Sequence, residues 1–484
     1  MLSNKKVFMS FVWVSIEKFG HSGLNLISIL ILSRLLVPED FGLIGVLAIF
    51  ISISQMIVES GLGSALVKKE NPTRQDFSTI FTFNLIVSIV LYIIIFLVVA
   101  PLIAAYYDES ILSNLIKVLS LSIIFNAFTL IQRVHLLREL KFKQQSLIAI
   151  LSLLISISIS ISLAVMGMGV WALVFQMVAY SFFYAIFVFF SVKYYPSFYF
   201  SYASFKELFS FGGRIFASSL IQITYRDIFS MIIAKIYNIN VAGLYFQSNK
   251  LVNFPVSIFR ALTDGAVFPV LSKIQDKKEF GNLCRRLNRG VLLVATPLLL
   301  SLAFFSEYYV LIVLGNNWIE AIPFMTILSL GALPLIIESI SRNMMKAAGR
   351  ADYILKSEMI KRILGFGLLF LALQFSIEYI LWSVVIANML AFIINMYIVN
   401  KITSYTWKSQ IKDIFIFMLL SLTSFLVIHL VRRYITMDIL LVDFVIKMTC
   451  LLFAYFLLGL IFRIEELKIL QKKLSMLIDN YCKK

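Results

Sequence analysis

The chain has 484 residues, of which 60% are hydrophobic and 14% charged, with a mean hydropathy of +0.92 and a formal net charge of +17. A chain this apolar cannot cover a folded surface with polar groups, so a soluble globular protein is excluded and an integral membrane protein remains. Three cysteines (Cys284, Cys450, Cys482) and three histidines (His21, His135, His429) are too scattered for a disulfide framework or a zinc site, so no metal is expected.

A helix crosses about 30 Å of hydrocarbon with about 20 apolar residues. On that ruler the chain offers fourteen spans, near 9–33, 41–62, 77–101, 112–132, 146–167, 169–192, 208–235, 241–271, 290–314, 319–341, 357–376, 378–400, 411–431 and 440–463. The first follows Lys5 and Lys6, as in a signal peptide. It is long, holds Glu17, Lys18 and His21, and has no small-residue cleavage site, so it is expected to persist as a helix. In the fifth, Ile and Ser alternate over 155–162, a strand-like period of two. An open strand edge in lipid leaves backbone groups unsatisfied, so a helix is expected there too. The fold class expected is all-α.

Basic residues set the orientation. With the N-terminus in the cytoplasm, most of the 43 lysines and arginines fall in cytoplasmic segments, including the clusters at 273–289, 342–362 and 463–484. The outer segments then hold only Arg34, Lys117, Lys235, Arg432 and Arg433. Both termini are therefore expected in the cytoplasm. The +17 is mainly this topology signal, and no nucleic-acid partner is implied. The outer loops, such as VPEDFG, AYYDES and MGMG, are too short for a soluble domain or a loop-borne active site. No G-x-x-x-x-G-K-[ST] loop is present, so ATP is not expected as the direct energy source; no cofactor is expected, and the protein reads as a non-enzyme.

An internal repeat is visible. ILSRLLVPEDFGLIGVL (31–47) can be laid on IIAKIYNINVAGLYFQS (232–248), which pairs Arg34 with Lys235 and Gly42-Leu43 with Gly243-Leu244. ESGLGSALVKKEN (59–71) resembles TDGAVFPVLSKIQD (263–276) in the same order. A six-helix unit used twice follows: 1–206 with spans 1–6, 207–402 with spans 7–12, and 403–484 with spans 13–14 and a basic tail. An even number of spans per unit puts the pseudo-twofold axis along the membrane normal, the build of transporters that rock two lobes about a central site.

Ionisable groups inside spans are costly and usually face a cavity or a partner. In span 1, Glu17, His21, Asn25 and Ser28 share a helical face bordered by Lys18. In span 7, Arg214, Ser218, Gln222 and Arg226 recur every four residues, followed by Asp227. In span 8, Asn249, Asn253, Arg260 and Asp264 share a face beside Lys250, and span 2 adds Gln55 and Glu59. The plainer readings are that Glu17–Lys18 and Arg226–Asp227 neutralise one another and that Lys18 and Arg214 snorkel to the interface. The functional reading is a net cationic cavity. Lys18, Arg214, Arg226, Lys250, Arg260, Gln222, Asn249 and Asn253 would bind substrate there, and Glu17, His21, Glu59 and Asp264 would couple an ion gradient. Such a cavity suits an anion, and arginine forks suit phosphate oxygens, although a carboxylate fits the charge almost as well.

RLLVPEDFGLIGVLAIFISISQMIVESGLGSALVKKE (34–70), GLYFQSNKLVNFPVSIFRALTDGAVFPVLSKIQ (243–275) and MMKAAGRADYILKSEMIKR (344–362) resemble the landmark segments of bacterial Wzx-type polysaccharide exporters. These belong to the multidrug/oligosaccharidyl-lipid/polysaccharide superfamily, and the likeness is nearest to the colanic and teichuronic acid branch. The resemblance implies a MATE-like two-lobed bundle of six plus six helices with two more at the C-terminus, in the bacterial cytoplasmic (inner) membrane. It also implies the task of moving an undecaprenyl-pyrophosphate-linked oligosaccharide across that membrane, driven by H+ or Na+, beside membrane lipids and the polysaccharide polymerase machinery. A drug/cation antiporter of the same superfamily would want an acidic, aromatic cavity. A polysaccharide polymerase or ligase would want a large outer loop.

Overall fold

The computed structural model describes residues 4–59, 61–272, 274, 276–431, 438–464 and 466–467, and almost all of them are helical. The basic tail from 468 onward and the outer pair Arg432 and Arg433 lie outside the described residues. The chain divides into two compact units, Met1–Gln247 and Ser248–Lys484.

The first unit holds α1 (Asn4–Leu35), α2 (Pro38–Glu59), α3 (Leu62–Lys68), α4 (Arg74–Ile94), α5 (Ala100–Tyr107), α6 (Ser110–Leu119), α7 (Leu121–Arg138), α8 (Phe142–Val165), α9 (Trp171–Ser191) and α10 (Tyr202–Ile236). Then comes α11 (Ile239–Leu271), inside which the division between the units falls. The second unit continues with α12 (Lys277–Phe304), α13 (Ser306–Tyr309), α14 (Ile322–Leu330), α15 (Ala332–Ala347), α16 (Ala351–Ala372), α17 (Ile377–Ile402), α18 (Trp407–Val431) and α19 (Leu440–Ile461).

Local chemistry explains where these helices start, stop and bend. α4 opens on a reciprocal cap: the Asp76 backbone N–H donates to Thr73 Oγ1 at 3.2 Å, and the Thr73 N–H donates to the Asp76 carboxylate at 2.8 Å. Arg138 closes α3 by donating to the carbonyls of Leu66, Val67 and Lys69 at 2.7, 3.0 and 2.6 Å, groups that a helix C-terminus leaves without partners. α4 and α5 join through one π-helical turn at 95–99, just before Pro101. The widened turn relieves the clash between the proline ring and the carbonyl of residue 97. The Ile–Ser stretch is helical within α8, with Ser152, Ser156 and Ser160 buried along one side. There Ser152 and Ser156 donate to carbonyls of their own helix, at 2.7 and 2.8 Å.

Among the described residues, ten helical stretches are long and apolar enough to cross a membrane: 38–68, 74–107, 110–138, 142–165, 171–191, 277–304, 316–347, 377–402, 407–430 and 440–461. Four other long helices, α1, α10, α11 and α16, lie outside that set, and each carries charged residues well inside its length. Large apolar side chains stand on the outer faces, among them Leu97, Phe190, Ile363, Phe370 and Phe453. On a water-soluble protein such a surface would aggregate; here it is the surface that lipid covers. The protein is a multi-pass membrane protein.

In the first unit α1 packs on α8, α8 on α9, α4 on α7, and α10 on α2 and α3. Leu62, Leu66, Phe77, Ile80, Leu85, Leu130, Ile131 and Leu208 form one buried cluster there. In the second unit α15 and α16 both pack on α17, while α12 packs on α14, α15 and α18. Leu300, Phe305, Tyr308, Phe425, Ile428 and Leu451 form its counterpart.

Candidate functional site

The polar face of α1 turns onto α8 and α9. Gln145 Nε2 and Ser146 Oγ donate to the two carboxylate oxygens of Glu17, at 3.3 and 3.2 Å. Asn25 Nδ2 lies 2.8 Å from His21 Nδ1, and with Asn25 donating, the ring proton sits on Nε2. The Tyr180 ring meets the His21 ring edge-on at 6.0 Å, and Gln176 donates to Ser28 Oγ at 2.9 Å. The four residues read as one helical face thus share one environment, a half-buried polar seam against α8 and α9. Glu17 is held there by neutral donors of α8, and Lys18 is exposed. Glu59, at the end of α2, stands 3.7 Å from Arg133 of α7, with both side chains substantially exposed.

On α10, Arg226 makes a two-pronged bond to its neighbour Asp227, Nε to Oδ1 at 2.6 Å and Nη2 to Oδ2 at 2.8 Å. Nη2 also reaches Ser52 Oγ of α2 at 3.5 Å. The guanidinium remains largely exposed, so the pair neutralises Arg226 without enclosing it. Gln222, one turn earlier, is exposed. Arg214 occupies α10 one turn before Ser218, and both side chains lie outside the described residues.

On α11, Asn253 Nδ2 donates to the carbonyl and to the side-chain oxygen of Asn249, at 2.9 and 2.7 Å, and Lys250 beside them is exposed. Further along, Arg260 and Asp264 join a set of charges that the sequence reading did not assemble. Glu338 of α15 is buried and accepts from Arg342 and from Lys361 of α16, each at 2.7 Å. Lys361, also buried, donates as well to Glu358 at 2.8 Å. Arg342 and Arg362 approach Glu358 at 3.2 and 3.3 Å. The charged groups that act on Arg260 are Glu338, Arg342, Glu358 and Asp264. Asn343 donates to Asp264 at 2.8 Å, and Thr263 meets Ser339 at 3.2 Å, which fixes this part of α11 on α15.

Four cations and three anions therefore gather where α11, α15 and α16 meet. Within them Arg260 Nε is buried and has no hydrogen-bond partner among the described residues. Buried guanidinium N–H groups normally find an acceptor, so the orphan marks an unsatisfied donor inside a net cationic cluster. Glu358 and Lys361 escaped the sequence reading because 342–362 read as a basic cytoplasmic segment, and Glu338, inside the span at 319–341, was passed over. The signal was present in the i,i+4 pair Glu338–Arg342 and in Glu358 with Lys361 and Arg362 at i+3 and i+4.

Long apolar helices interrupted by buried, hydrogen-bonded ionic groups define a multi-pass membrane protein with a charged interior rather than a passive membrane anchor. The chain matches the polysaccharide biosynthesis protein family over residues 31–323 and belongs to that family, as the exporter-like segments at 34–70 and 243–275 led us to expect. Among curated proteins it is similar to the teichuronic acid biosynthesis protein TuaB of Bacillus subtilis (strain 168), 23% identical over 357 residues that span 72% of each chain. Its fold is similar to that of the lipid II flippase MurJ in an inward closed conformation, with a TM-score of 0.78 at 16% identity over 93% of this chain and 98% of that one. It is also similar, with a TM-score of 0.58 at 14% identity over 80% and 96%, to an inward-facing multidrug resistance MATE family transporter of the MOP superfamily.

Proposed function

We propose that this protein is a flippase that carries an undecaprenyl-pyrophosphate-linked oligosaccharide repeat unit across the bacterial cytoplasmic membrane by alternating access, driven by an H+ or Na+ gradient. Family membership and the MurJ-like fold support this reading. The observation that carries it to a phosphate-bearing substrate is Arg260, whose Nε lacks an acceptor inside a net cationic cluster. A diphosphate supplies acceptor oxygens in the geometry that guanidinium groups favour. In this reading the charged helices α1, α10, α11 and α16 complete fourteen spans with the ten apolar ones, and both termini face the cytoplasm.

Lys18, Arg214, Arg226, Lys250, Arg260, Gln222, Asn249 and Asn253 serve the substrate. Glu17, His21, Glu59 and Asp264 serve the coupling ion, and the polymerase machinery receives the product. The test is deletion followed by analysis of lipid-linked intermediates. A single undecaprenyl-linked repeat unit accumulating on the cytoplasmic leaflet is the expected result. Normal polymer with no accumulated intermediate rejects the reading.

A drug/cation antiporter is the second reading. It wants an acidic cavity, whereas the cluster around Arg260 holds more cations than anions.

A further inference from the structure

A second basic site lies in the second unit, away from the Arg260 cluster. α12, α18 and the turn after α19 border a half-open cavity of about 900 Å3. Arg285, Arg286, Arg289, Lys412 and Arg463 line it, and among the described residues Glu466 is the one acid on its wall. Two of these cations are locked in place. Arg285 donates to both oxygens of the buried Asp413, at 2.9 and 3.0 Å, and Arg289 bridges Asp413 at 2.7 Å and Glu466 at 2.8 Å. Tyr405 holds Asp413 from behind at 2.9 Å. The other three, Arg286, Lys412 and Arg463, make no ion pair among the described residues and are exposed.

Arg463 has a further peculiarity. It ends α19 in a left-handed conformation, φ 53°, with its N–H bonded to Leu460 O and the Ile464 N–H bonded to Gly459 O, both at 3.0 Å. That position is normally glycine, because a Cβ there is disfavoured. Here an arginine occupies the strained turn, and its side chain lines the basic cavity. The remaining wall is apolar: Phe415, Leu419 and Phe462 line it and are themselves exposed, as lipid-facing groups are.

We propose that this cavity holds one anionic phospholipid of the inner leaflet, with its phosphate among Arg286, Lys412 and Arg463 and an acyl chain along Phe415, Leu419 and Phe462. The inference rests on the cytoplasmic placement of these basic helix ends. It concerns binding rather than transport, so it stands or falls separately from the flippase reading. Charge selects the occupant. The chain's own segment at 468–484 carries five lysines and one aspartate, and a cationic cavity repels it. A membrane phospholipid is present at solvent-like concentration, so mass action keeps the site filled.

The test uses the full-length protein in detergent, titrated with phosphatidylglycerol or with phosphatidylcholine of the same chains and read by native mass spectrometry. One phosphatidylglycerol should bind where phosphatidylcholine does not. Combining Arg286→Gln, Lys412→Gln and Arg463→Gln should weaken it at least about tenfold. The charge-matched control Lys193→Gln, Lys206→Gln and Lys278→Gln should change it less than about twofold. Leu419→Trp, which fills the apolar wall without touching charge, should also weaken binding, and it gives the answer if the triple variant fails to fold. Equal affinity in the cavity variants, equal loss in the control, or displacement by millimolar inorganic phosphate would overturn the proposal. Displacement by equimolar undecaprenyl phosphate would overturn it too, making the cavity a site for the transported class of lipid.

Discussion

Gly42 and Gly243 face each other where α2 meets the first turns of α11. A Cβ on Gly42 would overlap the carbonyl oxygen of Ile239, and a Cβ on Gly243 would overlap that of Pro38 and come within 3.0 Å of the Gly42 nitrogen. Ile239 stands four residues before Gly243, as Pro38 stands four before Gly42, so each glycine meets the other's upstream partner. Contacts that exchange in this way are those of a twofold axis between equivalent segments. The two glycines are also the pair that the internal repeat aligned, and small residues at such a crossing let two helix backbones touch in a membrane.

Replacing either glycine with alanine should therefore lower stability by about 3 kcal/mol, because a backbone carbonyl cannot swing aside as a flexible side chain can. The double variant should cost less than the two single losses added, since one separation of α2 from α11 relieves both overlaps. Gly290, inside α12 with nothing near its missing Cβ, is the control. Gly290→Ala should raise stability by about 0.5–1 kcal/mol through helix propensity. Thermal unfolding in detergent, followed for all four proteins, checks the series.

The helical class and the polar face of α1 were legible in the sequence because each is periodic or local. Apolar runs set helix length, and spacing sets which residues share a face. The pairing of Glu338 with Lys361 was not legible. The two lie on α15 and α16 across a turn, and nothing in the spacing of 338 and 361 says that the two helices fold back on one another. Arg226–Asp227 shows the opposite case. The adjacent charges suggested a neutralising pair, and the bond forms, but the exposure that leaves Arg226 reachable depends on which neighbours α10 has.

Lys361→Met should leave Glu338 with Arg342 as its one remaining ion-pair partner among the described residues and destabilise the protein by about 3 kcal/mol, the usual penalty for breaking one side of a buried pair. Adding Glu338→Gln removes the buried carboxylate that has lost one of its two cations and should recover part of the loss. A double-mutant cycle on thermal stability reads the coupling directly. Strictly additive losses would mean that the two side chains do not sense each other.

Arg260 separates a structural from a transport role. Arg260→Lys keeps the charge near Glu338 but lacks the guanidinium fork, so insertion and stability should be close to wild type while flipping of a pyrophosphate-linked lipid in vesicles falls at least about tenfold. Arg260→Ala should fall further. Wild-type flipping by a correctly inserted Arg260→Lys protein would show that charge alone suffices and that the orphaned Nε has no acceptor in the substrate.

Glu17 tests the coupling assignment. Because Gln145 and Ser146 both donate to its carboxylate, Glu17→Gln is nearly isosteric: its side-chain oxygen still accepts one donor, and the helix contact between α1 and α8 is kept. What it loses is the ability to take up and release a proton. Flipping in vesicles should then persist at its ungraded rate but lose its acceleration by an imposed pH gradient, while Asp264→Asn, across the chain on α11 and bonded to Asn343, is compared under pH and sodium gradients. A Glu17→Gln protein that still accelerates with the pH gradient as the wild type does would return Glu17 to the fastening of α1 on α8 and leave Asp264 as the site to pursue.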